Sequence, residues 1–198
     1  MTTPTIESGG PGLVGHLEAL AKREDRAALA ALRRGLGKQP GEAPEMFPYV
    51  ERHFDARGSH GAPDEAYTVA SIFGIHPVHH RPAERRERNN FGASLRAIRW
   101  KDGEENQGVE RRFVALLDAG REALPVHLRH LVTLLHSSSE PMAIDYLQLF
   151  YDLRLWGEPD RRVQKRWAAG FWGFRRDDET SSNEVTTTDQ RNDESSED

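Results

Sequence analysis

Apolar residues recur every three to four positions along most of the chain, which is the spacing of a helix that buries one face. No segment shows the strict alternation of apolar and polar residues that is typical of a half-buried strand. The pattern predicts helices over residues 13–22, 25–36, 45–54, 63–76, 91–100, 109–119 and 124–136, followed by a helical hairpin over 142–174. We therefore predict an all-α fold, arranged as two small helical bundles.

The hairpin of residues 142–174 is predicted to be the centre of the fold, because it holds three of the four tryptophans. Gly157 ends its first helix and Pro159 opens the second, as expected at helix termini. The first helix is apolar on most faces, which predicts that it is buried. The second helix has an apolar stripe for the core, and its cationic residues project elsewhere: Arg161, Arg162, Lys165 and Arg166.

Changes in composition divide the chain into five segments. Residues 1–12 are rich in Thr, Gly and Pro, which predicts a flexible arm before an N-terminal bundle over 13–100. Residues 101–108 are charged and carry no apolar residue, so they are the predicted linker to a C-terminal bundle over 109–176. Residues 177–198 are acidic and rich in Ser and Thr, which predicts a disordered tail.

Charge and composition narrow the class of protein. The chain has 32 acidic and 27 basic residues, but nine of the acids and only one base lie in residues 177–198. Residues 1–176 therefore carry a net charge of +3, on a body large enough to bury a core. There is no cysteine, which excludes disulfides and thiolate metal sites. No run reaches membrane-spanning length and no signal peptide is visible, so we expect a cytoplasmic protein without a membrane partner.

Motifs for catalysis and metal binding are weak. His76, His79 and His80 have the only metal-like spacing, but a proline interrupts it, and exposed loop histidines are the simpler interpretation. His127 and His130 lie three apart and are expected on a helix surface. No phosphate-binding loop, nucleophile elbow or zinc-protease motif is present. We predict a protein that is not an enzyme and uses no cofactor or metal; a histidine-metal hydrolase is the weakest alternative.

Two further features have a functional and a structural interpretation. A polar stripe on the first hairpin helix resembles a general acid/base pair, but is more simply the edge that contacts another helix: Asp145, Gln148 and Asp152. Trp172 has the chemistry to stack on a splayed base, although a place in the core or an interface is favoured.

Arginines recur in pairs on the predicted helices: Arg33 and Arg34, Arg96 and Arg99, Arg111 and Arg112, and Arg161 and Arg162. If these outer faces converge, they form a positive track for a phosphate backbone. The simpler interpretation is a solvated helix face, or compensation of the helix dipole at the end of residues 25–36. No short polar recognition helix stands out, so base reading is not expected.

Four segments in the C-terminal half are similar, in this order, to a known family: SLRAIR, VERRFVALLDA, LPVHLRHLVTLL and IDYLQLFYDLRLWGEPDRRVQKRWAAGFW. The LRR of residues 32–34 fits the same pattern. Together these segments resemble the CasB family, the small subunits of the type I-E CRISPR surveillance complex Cascade. The resemblance spans most of residues 13–174.

The resemblance implies a non-catalytic helical subunit, present in two copies packed head to tail within a complex guided by CRISPR RNA (crRNA). It implies as partners crRNA, the other Cascade subunits, the target DNA and the displaced non-target strand, held without sequence preference when an R-loop opens. Matched position by position, it implies phosphate-binding roles for Arg33, Arg34, Arg111, Arg112, Arg129, Arg161 and Arg162. The residues themselves add Arg96, Arg99 and Lys165. The alternative function is a helical protein–protein adaptor that does not bind nucleic acid directly.

Overall fold

The computed structural model describes residues 9–54, 61–80, 89–101, 104–139 and 142–173. The α-helices in these residues are α1 Gly9–Lys22, α2 Arg26–Arg33, α3 Phe47–Val50, α4 Asp64–Ile75, α5 Phe91–Arg96, α6 Gln107–Asp118, α7 Leu124–His136, α8 Tyr146–Arg154 and α9 Arg162–Trp172. The described strands are β1 Trp100–Lys101 and β2 Glu104–Glu105. The all-α prediction is confirmed.

Polar side chains set the beginnings of four helices. Each accepts a hydrogen bond from a backbone N–H of the first turn, which satisfies one of the donors that a helix leaves free at its start. These caps precede α2, α5, α6 and α8 and are Asp25, Asn90, Asn106 and Asp145. Asp145, one of the candidate acid/base residues, is therefore a helix cap.

One hydrophobic core joins the helices of both predicted bundles. α4 packs against α2, α7 and α8, and all nine residues 66–74 are buried. α8 and α9 form the predicted hairpin, with Trp167 fully buried on α9. The 101–108 segment thus separates the helices along the chain without separating their cores.

Two glycines allow α5 and α9 to pack at close range. A Cβ atom at Gly92 would overlap the backbone carbonyl of Trp167, and one at Gly170 would lie 2.4 Å from Asn90 Oδ1 and 2.9 Å from the amide nitrogen of Ala93. Because a backbone atom is too close at each position, side-chain rotation alone does not relieve the overlap. This contact holds the segment before the β-hairpin against α9.

The structure differs from the sequence prediction at several boundaries. α1 begins at Gly9, so residues 9–12 of the predicted arm are helical. Gly9 and Gly10 are buried against the rings of Phe54 and Phe150, where a side chain has no room. α5 ends at Arg96, and part of the predicted linker forms β1, β2 and the start of α6. Residues 1–8 and the predicted tail lie outside the described residues. No described helix is both long and apolar enough to cross a lipid bilayer.

Candidate nucleic-acid interface

The surface between α6 and α7 forms a groove of about 410 Å³. We call this the α6–α7 groove and define it by its lining residues: Arg111, Arg112, Ala115, His127 and His130. Two guanidinium groups and two imidazole rings line it, and no carboxylate is among these lining residues. The groove is therefore a surface suited to a polyanion.

The apolar pattern of the two helices explains why these side chains reach the surface. On α6, Val109, Phe113 and Leu116 are buried, which turns Arg111 and Arg112 outward. On α7 the buried face is formed by a leucine-rich stripe, Leu124, Leu128, Leu131, Val132 and Leu135. His127 and His130 lie three residues apart on the other side of that helix, since residues at this spacing share a face.

The two arginines of the groove are held differently. Arg112 donates from Nη1 to the carbonyl of Gly108 at 2.8 Å, one turn earlier on α6. Arg111 is exposed, and within the described residues its guanidinium has no hydrogen-bond or ion-pair partner. A guanidinium group offers parallel N–H donors that match two oxygens of a phosphate. Arg111 is thus the freer of the two to bind one.

The start of α9 lies beside the end of α6. Arg161 donates from Nη2 to the carbonyl of Leu117 at 2.5 Å, in the last turn of α6. The positive charge there complements the negative end of the α6 dipole. Arg161 has a left-handed backbone, with φ of 52°, and directly precedes the first helical residue of α9. Arg162 and Lys165 are exposed on α9 but do not line the α6–α7 groove.

Three predicted basic residues lie near the end of α2. Arg33 is exposed in its last turn, and Arg34 pairs with Glu45 at 2.6 Å. The side chain of Arg129 on α7 lies over Gly37, where a Cβ atom would come within 2.6 Å of its Cδ. These arginines form a second basic region, partly neutralised by the Glu45 carboxylate.

Arg96 and Arg99 have structural contacts. Arg96 donates from Nη1 to the carbonyl of Gly173 at 2.5 Å, at the end of α9. Arg99 donates from Nε and Nη2 to the same oxygen of Glu105, at 2.8 and 2.5 Å. Both side chains are half-buried and fasten the β-hairpin region to α9. The ten predicted basic residues therefore have distinct settings, and among the described residues Arg34 and Arg99 pair with the carboxylates of Glu45 and Glu105.

The candidate acid Asp152 stabilises the helical hairpin. It is fully buried and accepts hydrogen bonds from Gln148 Nε2 at 2.6 Å, from Trp167 Nε1 at 2.6 Å and from Arg166. Burial raises the pKa of Asp152, while these donors and the Arg166 charge oppose that change. Every donor comes from α8 or α9, so this carboxylate joins the two helices rather than facing a substrate.

Trp172 has the structural role that the sequence favoured. Its Nε1 donates to Glu110 Oε1 at 3.0 Å, and its ring lies 5.3 Å from that of Phe113. Both contacts are with α6, so the indole packs between helices instead of offering a face to a base.

The histidines of residues 76–80 are more buried than the sequence suggested. His76 is fully buried, and its Nε2 bonds to the carbonyl oxygen of Met142 at 2.8 Å. Burial lowers the pKa of His76. His79 contacts the carbonyl of Ile144 at 3.1 Å. The exposed-loop interpretation is therefore wrong for His76. Nowhere in the described ranges do three potential ligands gather in a geometry that could hold a metal ion.

The sequence predicts His127 and His130 on a helix surface but does not indicate that they share a groove with Arg111 and Arg112. Their spacing and their position opposite the leucine stripe indicated an exposed face, and this was the available signal. Their partnership with Arg111 and Arg112 depends on how α6 and α7 pair, which is a tertiary feature without a local pattern.

Comparisons with known proteins agree with one another. The family model described as CRISPR-associated protein Cse2 matches residues 28–172. A CRISPR-associated protein Cse2 from Thermus thermophilus is 34% identical over 161 residues, covering 80% of this chain and 86% of the relative.

Solved structures show the same fold. The crystal structure of a Cse2-family protein from Thermus thermophilus has 31% identity and a TM-score of 0.66, covering 84% of this chain and 99% of that one. M. ruber CasB has 29% identity and a TM-score of 0.62, with 91% and 98% covered. A chain of a CRISPR RNA-guided surveillance complex has 28% identity and a TM-score of 0.62, with 89% and 97% covered. On its matched sequence and its fold, this chain belongs to the Cse2 family of CRISPR-associated proteins, also called CasB.

Proposed function

We propose that this chain is the non-catalytic small subunit of a type I-E surveillance complex guided by crRNA, and that it stabilises the R-loop by binding DNA strands. The similarity to a chain of a CRISPR RNA-guided surveillance complex over almost the full length of both supports the subunit role. The proposed partners are crRNA, the other Cascade subunits, a second copy of this chain, the target DNA and the displaced strand.

The observation that carries nucleic-acid binding is the α6–α7 groove, lined by two arginines and two histidines and by no acid. Such a surface neutralises phosphates and releases their counterions, which favours binding to any sequence. Ala115 is its remaining lining residue, so the polar contacts of the groove come from its cationic and imidazole groups. Arg111 and Arg112 match the oxygens of a phosphate, and we assign them to the backbone rather than to base edges.

A backbone-binding subunit suits an RNA-guided complex. Guide pairing reads the sequence, and the RNA–DNA duplex formed is about as stable as the DNA duplex it replaces. Because that exchange is nearly balanced, a few phosphate contacts to the separated strands shift it toward the open state. Arg162 and Lys165 are exposed on α9 and are proposed as further phosphate-binding residues outside the groove.

The proposal is tested by assembling the complex with and without this chain. The chain should co-purify with crRNA and the larger subunits, and its omission should shorten the lifetime of R-loops on matched target DNA. The isolated chain should bind two unrelated oligonucleotides of equal length with equal affinity at low salt. Normal R-loop lifetimes without the chain, together with no DNA binding by it at low salt, would refute the role in R-loop stabilisation.

A protein–protein adaptor without direct nucleic-acid binding is the second candidate. The observation that favours it is that Arg34 and Arg99 are already paired with carboxylates of the chain, which leaves fewer cations for DNA. An adaptor should not retard DNA even when residues 177–198, with their nine acids, are removed. Retardation of DNA by this shortened chain at low salt would exclude the adaptor without nucleic-acid binding.

A further inference from the structure

The β-hairpin formed by β1 and β2 exposes a large aromatic side chain. Trp100 is 56% exposed, whereas Trp156 and Trp167 are buried and Trp172 is half-buried with its N–H bonded. Leaving an indole in water is unfavourable, because it forgoes the burial of a large apolar surface. Among the described residues, Trp100 belongs neither to the hydrophobic core nor to the lining of the α6–α7 groove.

The exposed ring is held in place from beneath. The Arg99 guanidinium lies 5.7 Å from the centre of the Trp100 ring and 5.6 Å from that of Phe171, which is fully buried on α9. The same guanidinium bonds to Glu105, which pairs with Trp100 in the register of the hairpin. Glu105 and Phe171 thus position the cation beside Trp100, and a contact of this kind reduces the conformational entropy that the ring loses on docking.

The charge around Trp100 is unsuited to a phosphate backbone. Residues 101–105 contain one lysine and three acids. Glu104 and Glu105 are exposed, and the nearby Arg99 is already paired with Glu105. Carboxylates at this position repel nucleic acid, but they complement lysine or arginine on a protein surface. An indole next to charged groups of this kind is typical of an interface anchor.

We propose that Trp100 and the β2 carboxylates dock onto a partner protein, at an apolar pocket bordered by lysine or arginine side chains. The inference rests on the proposed function, because the partner is taken to be another subunit of the surveillance complex. The indole fills the pocket and supplies affinity. Glu104 faces the basic border and speeds association.

The test uses the surveillance complex purified without its small subunit, to which the full chain is then bound. Trp100→Ala should weaken binding by about 30-fold or more, the scale of an interface hot spot. Trp100→Phe should recover part of the loss, because a ring again fills the pocket. Val114→Ala is the matched control: Val114 is 49% exposed on α6, and the change should leave affinity within about twofold. Glu104→Lys should slow association, with an effect that shrinks as salt rises.

Each other outcome overturns the inference. If Trp100→Ala binds the complex as tightly as the wild type, Trp100 is not an interface anchor. If Trp100→Ala binds the complex as tightly as the wild type but binds a 20-nucleotide oligo(dT) more weakly, Trp100 stacks on bases instead. If sedimentation shows that the isolated wild-type chain is a dimer and that Trp100→Ala is a monomer, Trp100 docks onto a second copy of this chain instead. If the wild-type chain itself fails to bind the complex, the proposed function fails, and this inference with it.

Discussion

Removing the two arginines of the α6–α7 groove tests the nucleic-acid role most directly. Both side chains are exposed, while Val109, Phe113 and Leu116 fix α6 in the core. Alanine is the best helix former, so Arg111→Ala/Arg112→Ala should leave the fold and its stability nearly unchanged. A loss of binding in this variant then reports on the groove rather than on folding.

The expected loss follows from counterion release. Each phosphate contact on a single strand contributes about 0.7 to the slope of log K against log salt, and each on duplex DNA about 0.9. Two lost contacts therefore reduce the slope by about 1.4 or about 1.8. At about 0.1 M salt this corresponds to about 25-fold weaker binding of single strands and about 60-fold weaker binding of duplex. The affinities of the wild type and the double variant should become equal as the salt concentration approaches about 1 M.

The assay is fluorescence anisotropy with a labelled oligonucleotide over a series of salt concentrations. Lys22→Ala/Arg26→Ala is the matched control, because it removes two exposed cations from α1 and α2, outside the groove. It should retain most of the affinity and slope. If the groove variant and the control lose equal amounts, binding follows net charge and the α6–α7 groove has no special role. An unchanged slope in the groove variant would refute phosphate binding by Arg111 and Arg112.

Three further predictions concern stability. Gly92→Ala should lower the free energy of unfolding by about 3 kcal/mol or more, measured with denaturant, because the new Cβ overlaps the Trp167 backbone. Gly15→Ala has open space around it and should instead stabilise α1 by about 0.5–1 kcal/mol. Equal effects of the two changes would contradict the close α5–α9 contact. Asp152→Ala should lower the free energy of unfolding by about 2–4 kcal/mol, measured by calorimetry. Asp152→Asn should lower it less, since the asparagine oxygen still accepts a hydrogen bond from the indole of Trp167. An alanine variant as stable as the wild type would contradict the buried network. Burial lowers the pKa of His16 and His53, and the Arg52 charge lowers both further. The free energy of unfolding should therefore fall as pH drops below about 6.5, where the unfolded chain binds more protons, and His16→Gln/His53→Gln should flatten that dependence. A wild type whose stability does not change with pH would contradict this.

The helical pattern predicted the exposure of the groove residues because exposure is a local property. The apolar spacing around Val109 and Phe113 required Arg111 and Arg112 to face outward, and the structure confirms this. The groove itself needed the pairing of α6 with α7, which no local pattern encodes. The sequence could therefore predict which side chains reach solvent, but not which of them meet.

The boundaries that differ were set by tertiary packing. Gly9 and Gly10 resemble the start of a loose arm because glycine disfavours a helix. In the structure they are helical and buried against Phe54 and Phe150, where a Cβ atom has no room. The β-hairpin was missed because strands of two residues are too short to show alternation. This miss hid the role of Arg99, whose carboxylate partner belongs to β2.

Only part of the basic surface is free to act on DNA, and this sets the expected strength of binding. Arg34 and Arg99 are paired within the chain, which leaves the groove, Arg33, Arg129 and the exposed residues of α9 as the candidate cationic surface. Under the proposed function, a few phosphate contacts predict weak binding by the isolated chain at physiological salt. Within a complex, a tethered site encounters DNA at an effective concentration of about 1 mM, so even a dissociation constant of about 100 μM gives roughly 90% occupancy. Weak binding in isolation is therefore consistent with a decisive role in assembly, and it also keeps a free subunit from being trapped on unrelated DNA.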